Sequence, residues 1–178
     1  DCVCLKGKSN VKVMLEGNNT FNGNNGIVIE SNSGLTIDSN ESVDGTSLDS
    51  ELRAKLTEHS KIDSYSSVKY EGTLNAKVIK GGGNLHIEGG NIQLQGEVRF
   101  NNGKSYLNGI YDLSTLDISG GNVQIMLDKS YEGYRTANKI NITGGHIFIK
   151  NSRTQNKARA DALAGDIQIG TAGGTDSD

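Results

Sequence analysis

The 178-residue chain is 34% hydrophobic and only 5% aromatic, with 24 glycines, no proline and 19 asparagines. The missing proline and the lack of a three-residue glycine period exclude collagen; no sustained heptad supports a coiled coil, and no run of ~18 apolar residues could cross a membrane as a helix. Eighteen basic against 21 acidic residues, a formal net charge of −3, offer no footprint for nucleic acid, and the low net charge with alternating apolar residues argues for folding rather than disorder.

The length suits one domain, residues 1–178, with a single core. The chain starts at Asp1 rather than Met, which reads as a processed or excised polypeptide. Cys2 and Cys4 are spaced i, i+2, so on a strand they share a face, a spacing that strains a disulfide between them. A lone C-x-C also lacks the four ligands of a structural metal site. Both are expected as small apolar side chains inside the first coil.

Next come three alternating segments, Val11–Gly17, Asn25–Glu30 and Gly34–Asp38, which read as strands divided by Asn/Gly turns. Residues 41–64 break the rhythm. Thr46 or Ser47 can cap a helix with Leu48, Leu52 and Leu56 on one stripe and Glu51 and Lys55 as an i, i+4 pair. A short helical insertion packed on the flank is expected there, because three leucines are enough to dock one side. Ser67–Gly83 returns to strands.

Repeats decide the architecture. NLHIEGGNIQLQ from Asn84, TLDISGGNVQIM from Thr115 and KINITGGHIFIK from Lys139 align without gaps around a Gly-Gly pair. Ile92, Val123 and Ile147 form one inward column, and Leu94, Ile125 and Ile149 form the next, with Gln93, Gln124 and Phe148 outward between them. Asn91, Asn122 and His146 follow the bend in the position of an asparagine ladder. Gly109 to Gly133 and Gly120 to Gly144 are each 24 residues, whereas Gly89 to Gly120 is 31, leaving a 7-residue loop insertion. The expected fold is all-β, a parallel β-helix with about 24 residues and three short strands per coil, each coil rising ~4.8 Å. The absence of proline fits such a fold, in which each lost N–H would break a ladder bond.

CVCLKGKSNVKVMLEGNNTFNGNNGIVIESNSGLTI and LDKSYEGYRTANKINITGGHIFIKNS resemble the bacterial surface carbohydrate-binding domain proteins, pectate-lyase-like solenoids that include a pectin-binding member. The likeness covers most of the chain outside the helical insertion. Ser130, Glu132, Gly133, Ile140, Ile142, Gly144, Gly145, Ile147 and Ile149 match the family's segment, with Asp161-Ala162-Leu163 in place of its final turn. The stretch NSRTQNKARA departs from the pattern, since the family moves directly to that turn. The resemblance implies a right-handed β-helix, extracellular or at the cell surface, calcium-containing and binding acidic polysaccharide.

Two groups of residues could serve such a role. With the 24-residue register, Asn108, Glu132 and Asp161 fall at equivalent corners of successive coils, where stacked oxygens could hold calcium. The competing reading, ordinary turn residues on a wet corner, is the commoner one, because no dense calcium loop motif is present. The second group is Lys150, Arg153, Lys157 and Arg159 with Tyr131, Tyr134, Arg135 and the outward Phe148. Guanidinium groups pair with sugar carboxylates and aromatic rings can lie against sugar rings, although a solvated basic loop explains the same residues.

Catalytic readings have the weakest support. The paired aspartates of a β-helix glycosidase are missing, and a calcium-dependent polysaccharide lyase would need Arg135, Arg153 or Arg159 beside Asp161 without any spacing that demands it. His59, His86 and His146 show no partner pattern of a triad or metal site and read as structural. Gly81-Gly82-Gly83 is not followed by the Lys-Ser/Thr of a phosphate loop. The expected function is a non-catalytic polysaccharide-binding or surface module. The alternative is an adhesive solenoid that self-associates end to end or belongs to a longer surface protein, since neither end shows a cap.

Overall fold

The computed structural model describes residues 3–42, 69–101, 104–127, 136–151 and 165–169. The described chain winds through three faces in a fixed order. The first coil runs β1 (Val3–Leu5), β2 (Asn10–Leu15) and β3 (Gly17–Phe21). The second runs β4 (Ile27–Ile29) and β5 (Gly34–Ser39), passes β6 (Glu41–Ser42) and β7 (Lys69–Tyr70), and closes with β8 (Gly72–Ala76). The third runs β9 (Ile79–Lys80), β10 (Asn84–Ile87) and β11 (Asn91–Leu94), followed by β12 (Glu97–Asn101) and β13 (Lys104–Asn108). The fourth is β14 (Ile110–Tyr111), β15 (Leu113–Ile118) and β16 (Asn122–Leu127), and β17 (Ala137–Ile142), β18 (His146–Asn151) and β19 (Asp166–Ile169) continue the winding.

Like faces pair only with like. The first sheet is β1-β4-β9-β14, the second β2-β5-β10-β15-β17-β19 and the third β3-β8-β11-β16-β18, and every ladder within them is parallel. Three stacked parallel sheets joined in this cyclic order are the arrangement of a parallel β-solenoid. No helix occurs among the described residues.

The registers explain why the repeat is regular in places only. Val3 pairs with Ile27, Asn10 with Gly34, Leu113 with Ala137 and Asn122 with His146, each 24 residues apart. Asn84 pairs with Thr115 and Asn91 with Asn122, 31 apart, because the antiparallel β12–β13 hairpin is inserted between them. Gly34 pairs with Asn84, 50 apart, across the insertion flanked by antiparallel β6 and β7. Glu41 and Ser42, at the start of the insertion, form a strand by pairing with Tyr70 and Lys69. The expected helix, capped at Thr46 or Ser47, lies outside the described residues.

The core is a set of apolar columns along the axis. Leu35, Leu85, Leu116 and Ile140 stack in the second sheet, with Ile37, Ile87 and Ile118 two residues on, and all are buried. Ile92 and Val123, and Leu94 and Ile125, stack in the third sheet as their alternation predicts. Each such side chain contributes about 1.5–3 kcal/mol by leaving water, which lets a chain of low overall hydrophobicity close a narrow core. Cys4 departs from expectation: it is a free, exposed thiol. Val3 and Leu5 hold the inward positions, packed against the core and paired with Ile27 and Ile29, so alternation turns Cys4 outward.

Candidate functional site on the outer face of the second sheet

Alternation that sends Leu85 and Ile87 inward sends their neighbours to solvent. The resulting outward row, Lys12, Thr36, His86, Asp117, Asn141 and Gln168, crosses all six strands of the second sheet and is polar throughout. A parallel row, Asn10, Gly34, Asn84, Thr115, Lys139 and Asp166, lies two residues upstream. Neighbouring strands sit about 4.8 Å apart, so the first row forms an evenly spaced polar array. A shallow open groove of about 460 Å³ lies on this face, lined by Asn10, Lys12, Thr36, Asn84, His86 and Asp117 among others.

An ionic network ties the coils together along its downstream edge. Lys12 Nζ lies 2.8 Å from Asp38 Oδ2 and 2.6 Å from Glu88 Oε2, a contact between residues 76 apart in sequence. Hydrogen bonds from the ammonium to Asp38, and then Glu88, hold Lys12 charged above the ordinary lysine range. The same bond with Lys12 holds the Asp38 carboxyl below its ordinary value. Glu88 presents its other oxygen, Oε1, to His86 Nδ1 at 3.7 Å, and His86 Nε2 meets Ser119 Oγ at 3.1 Å. Farther along the row of Lys12 and His86, Asn141 Nδ2 donates to Asp117 Oδ1.

At the corner between the second and third sheets stands the asparagine ladder. Asn91 Nδ2 donates to the Tyr70 carbonyl at 3.0 Å, and Asn122 Nδ2 donates to Asn91 Oδ1 at 2.9 Å. His146 Nδ1 lies 3.0 Å from Asn122 Oδ1, and burial pushes its pKa below the usual histidine value. The Gly-Gly bends that precede each rung are dictated by close stacking. A Cβ on Gly144 would fall on the Ser119 carbonyl oxygen, and Gly145 has φ +81° with the Gly120 oxygen 2.6 Å from where its Cβ would be.

Of the residues singled out by sequence, few are placed. Phe148 pairs with Gln124 on the outward row of the third sheet and is half-buried, and Lys150 follows on the same strand, paired with Met126. Asn108 sits at the base of the β12–β13 hairpin opposite Glu97. Tyr131, Glu132, Tyr134, Arg135, Arg153, Lys157, Arg159 and Asp161 lie outside the described residues. Among the described residues no group of three or more His, Cys, Asp or Glu side chains is placed to hold a metal ion.

The Lys12–Asp38–Glu88–His86–Ser119 network was not anticipated from sequence. Part of it was legible, because the repeat alignment puts Glu88 and Ser119 in one column, each just before a Gly-Gly pair. Lys12 and Asp38 belong to coils separated from that alignment by the insertion, so nothing local joined them. The chain matches no family model, no curated protein and no solved structure. Among the described residues no helix is long and apolar enough to cross a membrane.

Proposed function

We propose that the protein is an extracellular or cell-surface polysaccharide-binding module, built on a right-handed solenoid with a basic coil of about 24 residues. The observation that supports binding is the open groove on the second sheet, with amide, hydroxyl, imidazole and ammonium groups repeated at strand spacing. A polymer that repeats its own hydroxyl groups can meet such an array at several points, whereas a small ligand gains little from a shallow, wide-open face. The right hand follows from the strong preference of strand–crossover–parallel-strand connections for that sense.

An acidic glycan is the proposed ligand class, on the strength of Lys150, Arg153, Lys157 and Arg159 with Tyr131, Tyr134 and Arg135 in the sequence. The groove itself does not favour anions, since Lys12 faces Asp38 and Glu88, with Asp117 nearby. Calcium held by Asn108, Glu132 and Asp161 is the proposed cation for binding acidic sugars.

The test is affinity electrophoresis against polygalacturonate and neutral polysaccharides, in calcium and in EDTA. Retardation by polygalacturonate that disappears in EDTA supports the calcium site; retardation that survives EDTA and fades with salt assigns binding to the basic segment. Asn84→Ala with Thr115→Ala, adjacent groove residues, should weaken retardation wherever the groove takes part; unchanged retardation would remove the groove from the proposal. No retardation by any glycan would defeat the proposal.

A second reading, self-association with another copy, has its own observation. Ile167 and Ile169 of β19 continue the apolar columns of Ile140 and Ile142 yet are 46% and 78% exposed, and Val11 at the β2 edge is 38% exposed. Sedimentation that shows concentration-dependent assembly, abolished by Ile169→Lys, would favour it over glycan binding.

A further inference from the structure

We propose that Ser119, His86 and Glu88 form an acyl-transfer site that cleaves small carboxylic esters. This goes beyond a binding role, which requires no such arrangement. The atoms are ordered as a hydroxyl nucleophile needs. Ser119 Oγ is 3.1 Å from His86 Nε2, closer than the Ile87 carbonyl oxygen to which the hydroxyl can also donate at 3.5 Å, and the opposite ring nitrogen, Nδ1, faces Glu88 Oε1 at 3.7 Å. With its proton on Nδ1, the imidazole keeps a lone pair on Nε2 toward the serine, and the carboxylate steadies the imidazolium that forms as that proton transfers.

Three features of the fold produce this geometry. His86 and Glu88 are two residues apart at the downstream end of β10, so they leave the same face of the sheet. Ser119 stands beside Glu88 on the next coil, since its backbone N–H donates to the Ile87 carbonyl at 2.9 Å. Lys12 takes Glu88 Oε2 at 2.6 Å, which leaves Oε1 for the histidine and makes Lys12 a positioning residue. His86 also lines the groove, so a substrate lying there reaches the site from the open side.

The step balances within the protein and one water. Ser119 Oγ attacks the acyl carbon while its proton passes to His86 Nε2. The ester C–O bond breaks, and the departing alkoxide takes the proton from the imidazolium. Water, deprotonated by His86, then hydrolyses the acyl-serine, releasing a carboxylic acid and restoring Ser119. The N–H groups of Ser119 and Gly120 both donate to the Ile87 carbonyl and are not directed at a developing oxyanion. The expected catalysis therefore comes from the nucleophile and its base, and acylation is a more sensitive readout than turnover. That the natural ester is an acyl group on a polysaccharide hydroxyl rests on the reading of the groove as a glycan site; the ester chemistry does not.

The full chain would be treated with a fluorophosphonate probe and, separately, with p-nitrophenyl acetate. Labelling should map to the peptide containing Ser119. Ser119→Ala should abolish it, and His86→Gln should slow it by about 10²-fold or more, the low end of what a positioned base supplies. Gln93→Ala, on the outer face of the third sheet, should leave it unchanged. Glu88→Gln should slow labelling in the wild-type background and add no further loss to His86→Gln, a dependence that a purely structural role would not produce. In Ser119→Cys, the new thiol should alkylate with iodoacetamide faster than the exposed Cys4 of the same chain, and lose that advantage when His86→Gln is added. Labelling spread evenly over exposed serines, p-nitrophenyl acetate hydrolysis unaltered in Ser119→Ala, or equal thiol rates would each overturn the proposal. Loss of glycan retention without loss of labelling would sink only the glycan reading.

Discussion

Asn122 Oδ1 lies 3.0 Å from His146 Nδ1, and the amide nitrogen of the same side chain donates to Asn91 Oδ1 at 2.9 Å. One half-buried side chain thus links three successive coils. Asn122→Ala removes both of these contacts and is expected to cost about 1–3 kcal/mol. Urea denaturation measures this, and a change below about 0.5 kcal/mol, within the range of a neutral surface substitution, would show that the ladder does not support the corner.

The same rung makes stability depend on pH. Burial lowers the His146 pKa in the folded state, so an unfolded chain, with histidine near 6.5, binds a proton that the folded chain refuses. Stability from this group is full above about pH 6.5 and is lost as pH falls from there through the depressed folded value. Melting temperatures across this window should fall with acid in the wild type, and by less in His146→Asn. Parallel curves for the two proteins would refute the assignment.

The bend before the rung is closed to side chains for two separate reasons. Gly145→Ala places a Cβ at φ +81°, expected to cost about 1–3 kcal/mol. Gly144→Ala meets the Ser119 carbonyl oxygen instead and must push β17–β18 away from the preceding coil, with a loss of at least similar size. Thermal melts of the two variants, with Gln124→Ala as an outward control, decide this; wild-type melting in either would mean the coils are not so closely stacked.

Lys12 and Asp38 form a pair whose effect appears at acid pH. Their contact depresses the Asp38 pKa, so its contribution is present above the unfolded value of about 3.9 and is lost as pH falls through the lower folded value. Lys12→Met removes the largest cause of that depression. The Asp38 carboxyl should then titrate at higher pH by carbon-detected NMR, and acid unfolding should begin at higher pH. An unmoved titration would show that the ion pair does not form in solution.

The apolar columns were readable before any coordinates because the information is local. Alternation tells which residues of a strand point inward, and the Gly-Gly pairs mark where one strand ends and the next begins. Leu85, Leu116 and Ile140 consequently occupy the core as their repeats require, and Asn91, Asn122 and His146 share the corner. Cys4 shows how narrow the margin is. Without a marker of phase in the first coil, a displacement of one residue reverses every side chain, and Val3 and Leu5 rather than Cys4 face the core, while Cys2 lies outside the described residues.

The outward network had no such local signal. Lys12 meets Glu88 only because coils of unequal length bring β2, β5 and β10 side by side, with register offsets of 24 and then 50 residues. Ser119 meets His86 only because the β12–β13 hairpin loops out and lets Asn84 pair with Thr115. An insertion can be accommodated at many points without disturbing the inward pattern, since loop closure depends weakly on length. The amino-acid pattern by itself determined which faces are apolar and that the sheets are parallel stacks; pairing between distant coils decided which polar groups share a surface, because register is a property of two strands together.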